Sequence, residues 1–437
     1  MESLTTAFFI LLLLVFYLGL GVWVFAGLLL VSFSGLVFLL DMPIHRIGTI
    51  MAPLIIRSAT SWELSAIPMF VWMGEIMFRT DISNRLFRGL SPIVYYLPGR
   101  LLHTNVMGSA LFAAVSGSSA ATTATVGKIT TTELLKRNYS KSLAFGSLAG
   151  AGSLGLLIPP SIVLIVYGVL AEVSISRLFA AGVYPGILIA SLYSGYIMVR
   201  CLINPSLAPT IEKKPSILDV IYGLFNLIPI TILIFIVLGS IYSGIATPSE
   251  AAAVGVLATL LLTVLTRQLS FEVFFDSLMG AVRTSCMIAS ILLAAAFLST
   301  SMAFLHVPQE VAAGIAKLNL SPYQMIATLA VFYILLGLFL EGISITVMSL
   351  PITLPLVLAA GFDPIWFGIF LVIMVELAQI TPPIGFNLFI IQGLTGTPIM
   401  RVAIASAPFF ILMCCAAAII TIFPQIALWL PDTLFNK

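Results

Sequence analysis

One short segment occurs twice. Leu157-Ile158-Pro159-Pro160-Ser161 and Gln379-Ile380-Thr381-Pro382-Pro383-Ile384-Gly385 each set a proline pair inside a long apolar run, and the pairs lie 223 residues apart. Pro185 and Pro408 are separated by the same 223. About forty residues upstream of each pair sits a polar tip: Ser116-Gly117-Ser118-Ser119 and, 223 residues after Ser118, Glu341-Gly342. A proline removes an amide donor and clashes with the preceding turn. In hydrocarbon, the carbonyls it frees are tolerated only around a cavity or an ion. The chain therefore reads as two copies of one plan, each with a helix broken at membrane depth. Broken apolar helices in matching positions of two halves point to a solute- or ion-binding site.

Composition sets the solvent. Of the 437 residues, 60% are hydrophobic and 8% charged, with a mean hydropathy of +1.17. A soluble globular chain carries about a quarter charged residues, and apolar runs of membrane-spanning length recur from end to end here. This excludes a soluble protein and predicts one polytopic, all-α membrane domain in a lipid bilayer. The net charge of +2 and the lack of a basic run give no reason to expect nucleic acid. Cys201, Cys286, Cys414, Cys415, His45, His103 and His306 lack metal-ligand spacing and read as packing residues. The apolar N-terminal run has no basic flank and no cleavage motif, so it reads as retained.

Charge placement orients the chain. No Lys or Arg precedes Arg46, and basic residues then collect at 79–100, 136–141, 200–214 and 267–283. The positive-inside rule puts these groups in the cytoplasm. Walking from them gives a broken helix over about 143–170, then crossings at 178–203, 217–242, 251–266 and 284–305. The 106–135 segment begins and ends in the cytoplasm and should be a re-entrant hairpin; 324–360 begins and ends outside and should be a second one. The halves thus have inverted topology: 1–203, a linker at 204–216, and 217–437 with its broken helix at about 364–392. Symmetry makes the 5–40 run two crossings broken near Gly19-Leu20-Gly21. About ten crossings and two hairpins result, with both termini periplasmic. Segments 80–103 and 267–281 mix charged and apolar residues and read as interfacial helices carrying the hairpins.

The first tip leads into Ala120-Ala121-Thr122-Thr123-Ala124-Thr125. Small residues let backbones approach, and hydroxyls and amides at a tip can hold a cation or an anionic group. Alone, such a stretch reads as tight helix packing, and a lone Pro-Pro as a kink. Their mirrored placement favours a site. Carbonyls near Gly155 and Ile158 should face the serine tip; Gly337 should face Ala378, Thr381 and Ile384. Sodium takes several oxygens, which carbonyls and hydroxyls supply. Glu341 is the sharpest single residue, because an ionisable side chain at membrane depth is costly. It either serves transport or caps the tip. Glu75 and Glu376 read as paired or interfacial.

These segments resemble the large membrane subunit (the M, or DctM-like, component) of tripartite ATP-independent periplasmic (TRAP) transporters. The residues that carry the likeness are Ile67-Pro68-Met69-Phe70, Gly74-Glu75, Ser116-Gly117-Ser118-Ser119, Ile158-Pro159-Pro160-Ser161-Ile162 and Ser176-Arg177-Leu178-Phe179-Ala180-Ala181-Gly182. Thr247-Pro248-Ser249-Glu250-Ala251-Ala252 and Thr381-Pro382-Pro383-Ile384-Gly385 complete the ordered set. The resemblance implies a sodium-driven importer of organic acids in the bacterial inner membrane, working as an elevator with scaffold and transport domains. It implies a separate small membrane subunit (Q, DctQ-like), a periplasmic substrate-binding protein, two or more Na+ ions and no organic cofactor. It puts one sodium site at Ser116, Ser119, Gly155, Ile158 and Pro160, and the other at Gly337, Ala378, Thr381 and Ile384. Ala378 stands where relatives often have Gly. Ser118, Thr122, Ser161, Glu341, Gly342, Pro382 and Pro383 are the expected substrate or tip residues.

Two other readings compete. One is a binding-protein-independent sodium symporter for dicarboxylate or citrate with the same hairpin plan. The other is an intramembrane enzyme, which nothing supports: there is no His-Glu-x-x-His and no Gly-x-Ser-x-Gly.

Overall fold

The computed structural model describes residues 9–10, 12–14, 16–17, 19–209, 214–316, 320–383 and 385–435. Among these, every regular element is a helix. The described residues between 9 and 19 are helical, and the chain turns at Leu20-Gly21, as the glycines predict. It continues with α1 (Val24–Leu40), α2 (Ile44–Ala59), α3 (Ala66–Phe78) and α4 (Ile82–Val94). Then come the hairpin arms α5 (His103–Ser116) and α6 (Ser119–Lys136), the broken pair α7 (Lys141–Gly152) and α8 (Ile162–Leu170), and α9 (Ile175–Ile203). The second half comprises α10 (Ile217–Tyr242), α11 (Pro248–Leu265), α12 (Phe271–Phe304) and α13 (Val307–Ala316). It closes with the hairpin α14 (Pro322–Leu336) and α15 (Gly342–Ala359), the broken pair α16 (Pro364–Gln379) and α17 (Phe386–Thr395), α18 (Ile399–Ile422) and α19 (Gln425–Phe435).

The repeat seen in the prolines runs through the whole chain. α6 and α15 match at both ends with a displacement of 223, Ser119 to Gly342 and Lys136 to Ala359. The first residues of α7 and α16, Lys141 and Pro364, show the same shift. Pro185 and Pro408 lie inside α9 and α18. Among the described residues, six helices are long and apolar enough to cross a membrane, among them α9, α10, α11, α12 and α18; several shorter apolar helices supplement them.

One expectation fails. The 267–281 segment is not a separate interfacial helix: from Phe271 the chain runs unbroken to Phe304. At 1.5 Å per residue that is about 50 Å, against a hydrocarbon core of about 30 Å. The charged first turns of α12 thus extend the crossing rather than lie beside it. By displacement, the counterpart of α4 is α13. The two halves differ because α2 and α3 are parted by Thr60-Ser61-Trp62-Glu63, where Ser61 is extended and its hydroxyl bonds Glu63. The matching stretch Arg283-Thr284-Ser285-Cys286 has no such break and carries the helix on.

Packing separates a buried interior from an apolar exterior. α16 is buried on all sides from Ile365 to Gln379, and α7 from Leu143 to Gly152. A helix that is apolar all round belongs in the interior of a bundle. α10 instead exposes Ile217, Tyr222, Phe225 and Phe235. α7 reaches α18 through glycines: a Cβ on Gly146 would overlap the Ala405 carbonyl oxygen, and one on Gly150 would lie 2.7 Å from Phe409 Cβ. Small residues are what let membrane helices approach this closely. The α3–α12 seam is polar at one end, where Trp72 Nε1 donates to Ser277 Oγ (3.2 Å) and Arg79 bridges Glu75 and Asp276.

Candidate functional site

Each hairpin tip sits on the broken helix of its own half. In the first, α5 ends at Ser116 and Gly117 turns the chain in the left-handed region (φ 61°). The Gly117 carbonyl accepts from Ile162 N–H at 3.3 Å, and a Cβ on Gly117 would lie 2.7 Å from the Pro160 oxygen. Glycine is required here twice, for the conformation and for the close approach. Two residues on, the Ser118–Ser119 backbone meets Gly155, where a Cβ would come within 2.5 Å of Ser119 Cα and 2.6 Å of the Ser118 oxygen. The structure therefore gathers Ser116, Ser119, Gly155 and Pro160 around one turn. The Pro159–Pro160 and Pro382–Pro383 bonds are both cis.

The hydroxyls around this turn have definite partners. Ser118 caps α6 by accepting from Ala121 N–H (3.3 Å), and Ser161 caps α8 by accepting from Leu164 N–H (3.2 Å). Ser116 Oγ and Thr122 Oγ1 are 3.0 Å apart, both buried. Ser119 Oγ donates to the Gly152 carbonyl (3.1 Å) and accepts from Asn387 Nδ2 (3.0 Å). Ile158 directs its side chain onto Gly186 of α9.

The second tip repeats the arrangement with other residues. Gly337 ends α14 against Ala378, whose Cβ a side chain on Gly337 would overlap. Gly342 opens α15 against Val375, Gln379 and Leu156. Glu341 is the N-cap residue of α15, and its Oε1 accepts from Ser344 Oγ at 3.2 Å. Thr381 Oγ1 donates to the Leu377 carbonyl (2.6 Å), and Thr381 N–H to the Ala378 carbonyl (3.3 Å). A carbonyl has two lone pairs and a donating hydroxyl keeps its own, so these oxygens retain capacity for a cation. Pro382 is half-buried and Pro383 exposed. Ile384 lies outside the described residues. The hairpin arms are tied by Tyr333, whose hydroxyl lies 2.8 Å from Thr353 Oγ1 and accepts from Ser349 Oγ at 3.2 Å.

Two residues that carry the geometry escaped the sequence reading. Glu376 is neither paired nor interfacial. It is 1% exposed, and its Oε1 accepts from Leu156 N–H of the first break at 2.7 Å. Asn387, just past the second break, is the partner of Ser119. Both cross from the second half to the first, so the two half-sites touch. The available signal was a carboxylate within the apolar run of α16, one turn before its break. Glu75 does pair, with Arg79 at 3.3 Å. Among the described residues, no three His, Cys, Asp or Glu side chains converge on a metal position.

Two polar hairpins docked on two proline-broken helices, inside a polytopic helical domain, define a membrane transporter permease rather than an enzyme. Residues 8–426 match the family described as "Tripartite ATP-independent periplasmic transporter, DctM component". The chain belongs to this family. It is 32% identical to the C4-dicarboxylate TRAP transporter large permease protein DctM of Pseudomonas aeruginosa, with 86% of this chain and 88% of that protein covered. It is 30% identical to the ectoine/5-hydroxyectoine TRAP transporter large permease protein UehC of Ruegeria pomeroyi, with 86% and 87% covered. The sialic acid TRAP transporter large permease protein SiaM of Vibrio cholerae is 29% identical, with 85% and 87% covered. In fold, the chain is similar to the Alcanivorax borkumensis YdaH transporter, with a TM-score of 0.56, 15% identity, and 90% and 89% covered.

Proposed function

We propose that the chain is the permease of a sodium-gradient-driven importer that takes a small organic acid from a periplasmic binding protein. One observation carries this reading: in each half, a glycine at the hairpin tip abuts the broken helix, Gly117 against the Pro160 carbonyl oxygen and Gly337 against the Ala378 Cβ. Around these close approaches lie main-chain carbonyls and hydroxyls without a basic side chain, an environment suited to a hard alkali cation. Relatives named for C4-dicarboxylate and sialic acid support an organic acid as the solute. Ions bind at the two half-sites, and substrate sits between the tips, near Ser118, Glu341 and Gly342. The hairpins and broken helices form the moving body of an elevator; α1, α3, α4 and α10–α12 form its scaffold, against which a small membrane subunit packs. The bilayer is the bacterial inner membrane, and the basic groups place both termini in the periplasm.

Co-reconstitution of the chain with the small subunit in proteoliposomes tests the partner requirement. Uptake is expected only when the cognate binding protein is present outside. Equal uptake without it contradicts this reading and favours a self-sufficient symporter.

A further inference from the structure

The sodium sites implied by family resemblance contain no carboxylate, yet Glu376 lies beside one of them. Its side chain is 1% exposed, in the last turn of a helix buried on every face. Oε1 is held by Leu156 N–H at 2.7 Å. Oε2 is buried and has no hydrogen-bond partner among the described residues, and no ion pair found among them includes Glu376. Leu156 follows Gly155, which packs on the Ser119 backbone, so the Leu156 hydrogen bond brings the carboxyl to the Ser119 side of the first break. Ser119 in turn contacts the Gly152 carbonyl at 3.1 Å and the Asn387 amide at 3.0–3.2 Å.

A buried carboxylate without a counter-charge is strongly unfavourable. Protonation would answer the charge, with a neighbouring hydroxyl oxygen as acceptor. A cation would answer the charge and also take the surrounding oxygens as ligands. The oxygens that converge here are a carboxylate (Glu376), a hydroxyl (Ser119), a carbonyl (Gly152) and an amide (Asn387), all hard ligands.

We propose that Glu376 is the anionic ligand of a sodium position between the two repeats, built from Glu376, Asn387, Ser119 and the Gly152 carbonyl. This position shares only Ser119 with the half-site of the first repeat. Because its ligands come from both halves, filling it ties the second break to the first through Leu156. The proposal rests on the sodium-coupled reading above.

The test is the sodium activation of uptake by the reconstituted complex, with choline replacing sodium, alongside thermal stability of the purified full-length chain in the same series. Glu376→Gln keeps an oxygen for Leu156 N–H and removes the charge. It should raise the half-activating sodium concentration by about tenfold or more, lower the steepness of activation, and shrink the thermal stabilisation by sodium. Asn387→Ala should weaken sodium activation in the same direction while leaving the carboxylate in place, which covers the case of a poorly folding Glu376 variant. Sodium activation of wild-type midpoint and steepness in either folded variant overturns the proposal. If wild-type uptake itself ignores sodium, the functional reading fails first, and the two failures are told apart.

Discussion

Ser119 shows how a single hydroxyl can serve both the fold and an ion. It donates its one proton to Gly152 and accepts from Asn387, which leaves it anchored with a lone pair still to share. Thr381 is held in the same way by Leu377. Replacing either with Ala should therefore raise the sodium needed for half-maximal uptake while leaving expression intact. Wild-type sodium dependence in both would remove these residues from the ion sites. Gly117 belongs to the same scale. A Cβ there would enter the left-handed region, at about 1–2 kcal/mol, and would also press on the Pro160 oxygen at 2.7 Å. Gly117→Ala should lower the apparent Tm of the purified chain and impair uptake, and a variant with both unchanged would contradict the docked tip. The tip serines and Glu341 were legible in the sequence because polar groups are rare and expensive at membrane depth, and the proline pairs because the same pair recurs 223 residues later. Glu376 was legible only as a residue, not as a partner. Its contact is an amide 220 positions away in the chain, a relation that no local pattern encodes.

At the scale of elements, punctuation decided what could be read. The hairpins were expected over 106–135 and 324–360, and their arms run over His103–Lys136 and Pro322–Ala359. Glycine marks their turns, at Gly117 and at Gly337 and Gly342, and the matching displacement fixes their partners. α12 carries no such mark. Its charged N-terminal turns resemble an interfacial helix in composition, and only the absence of a break between Ala281 and Ile288 separates the two outcomes. A long helix can place Arg267-proximal charges in the interface while its remainder crosses. The α7–α18 contact depends on small residues rather than on sequence periodicity. Gly146→Val should overpack it by about 1–3 kcal/mol, since the obstruction is the Ala405 backbone. A depressed Tm with reduced uptake is the expected result. Unchanged stability would show that the two helices separate without cost.

For the whole molecule, the repeated plan shows how the two proposed ion sites and the proposed solute site would fit in a single domain. Each half supplies a broken helix and a tip, and Glu376 and Asn387 bring the halves into contact at Leu156 and Ser119. Family membership fixes the kind of machine. The coupling ion is the central claim, and it is the claim most open to direct measurement. Proteoliposomes holding the permease and its small subunit, supplied with loaded binding protein, should accumulate substrate when sodium is high outside and low inside. They should stop when that gradient is collapsed. Equal accumulation driven by a proton gradient in sodium-free buffer would contradict the account.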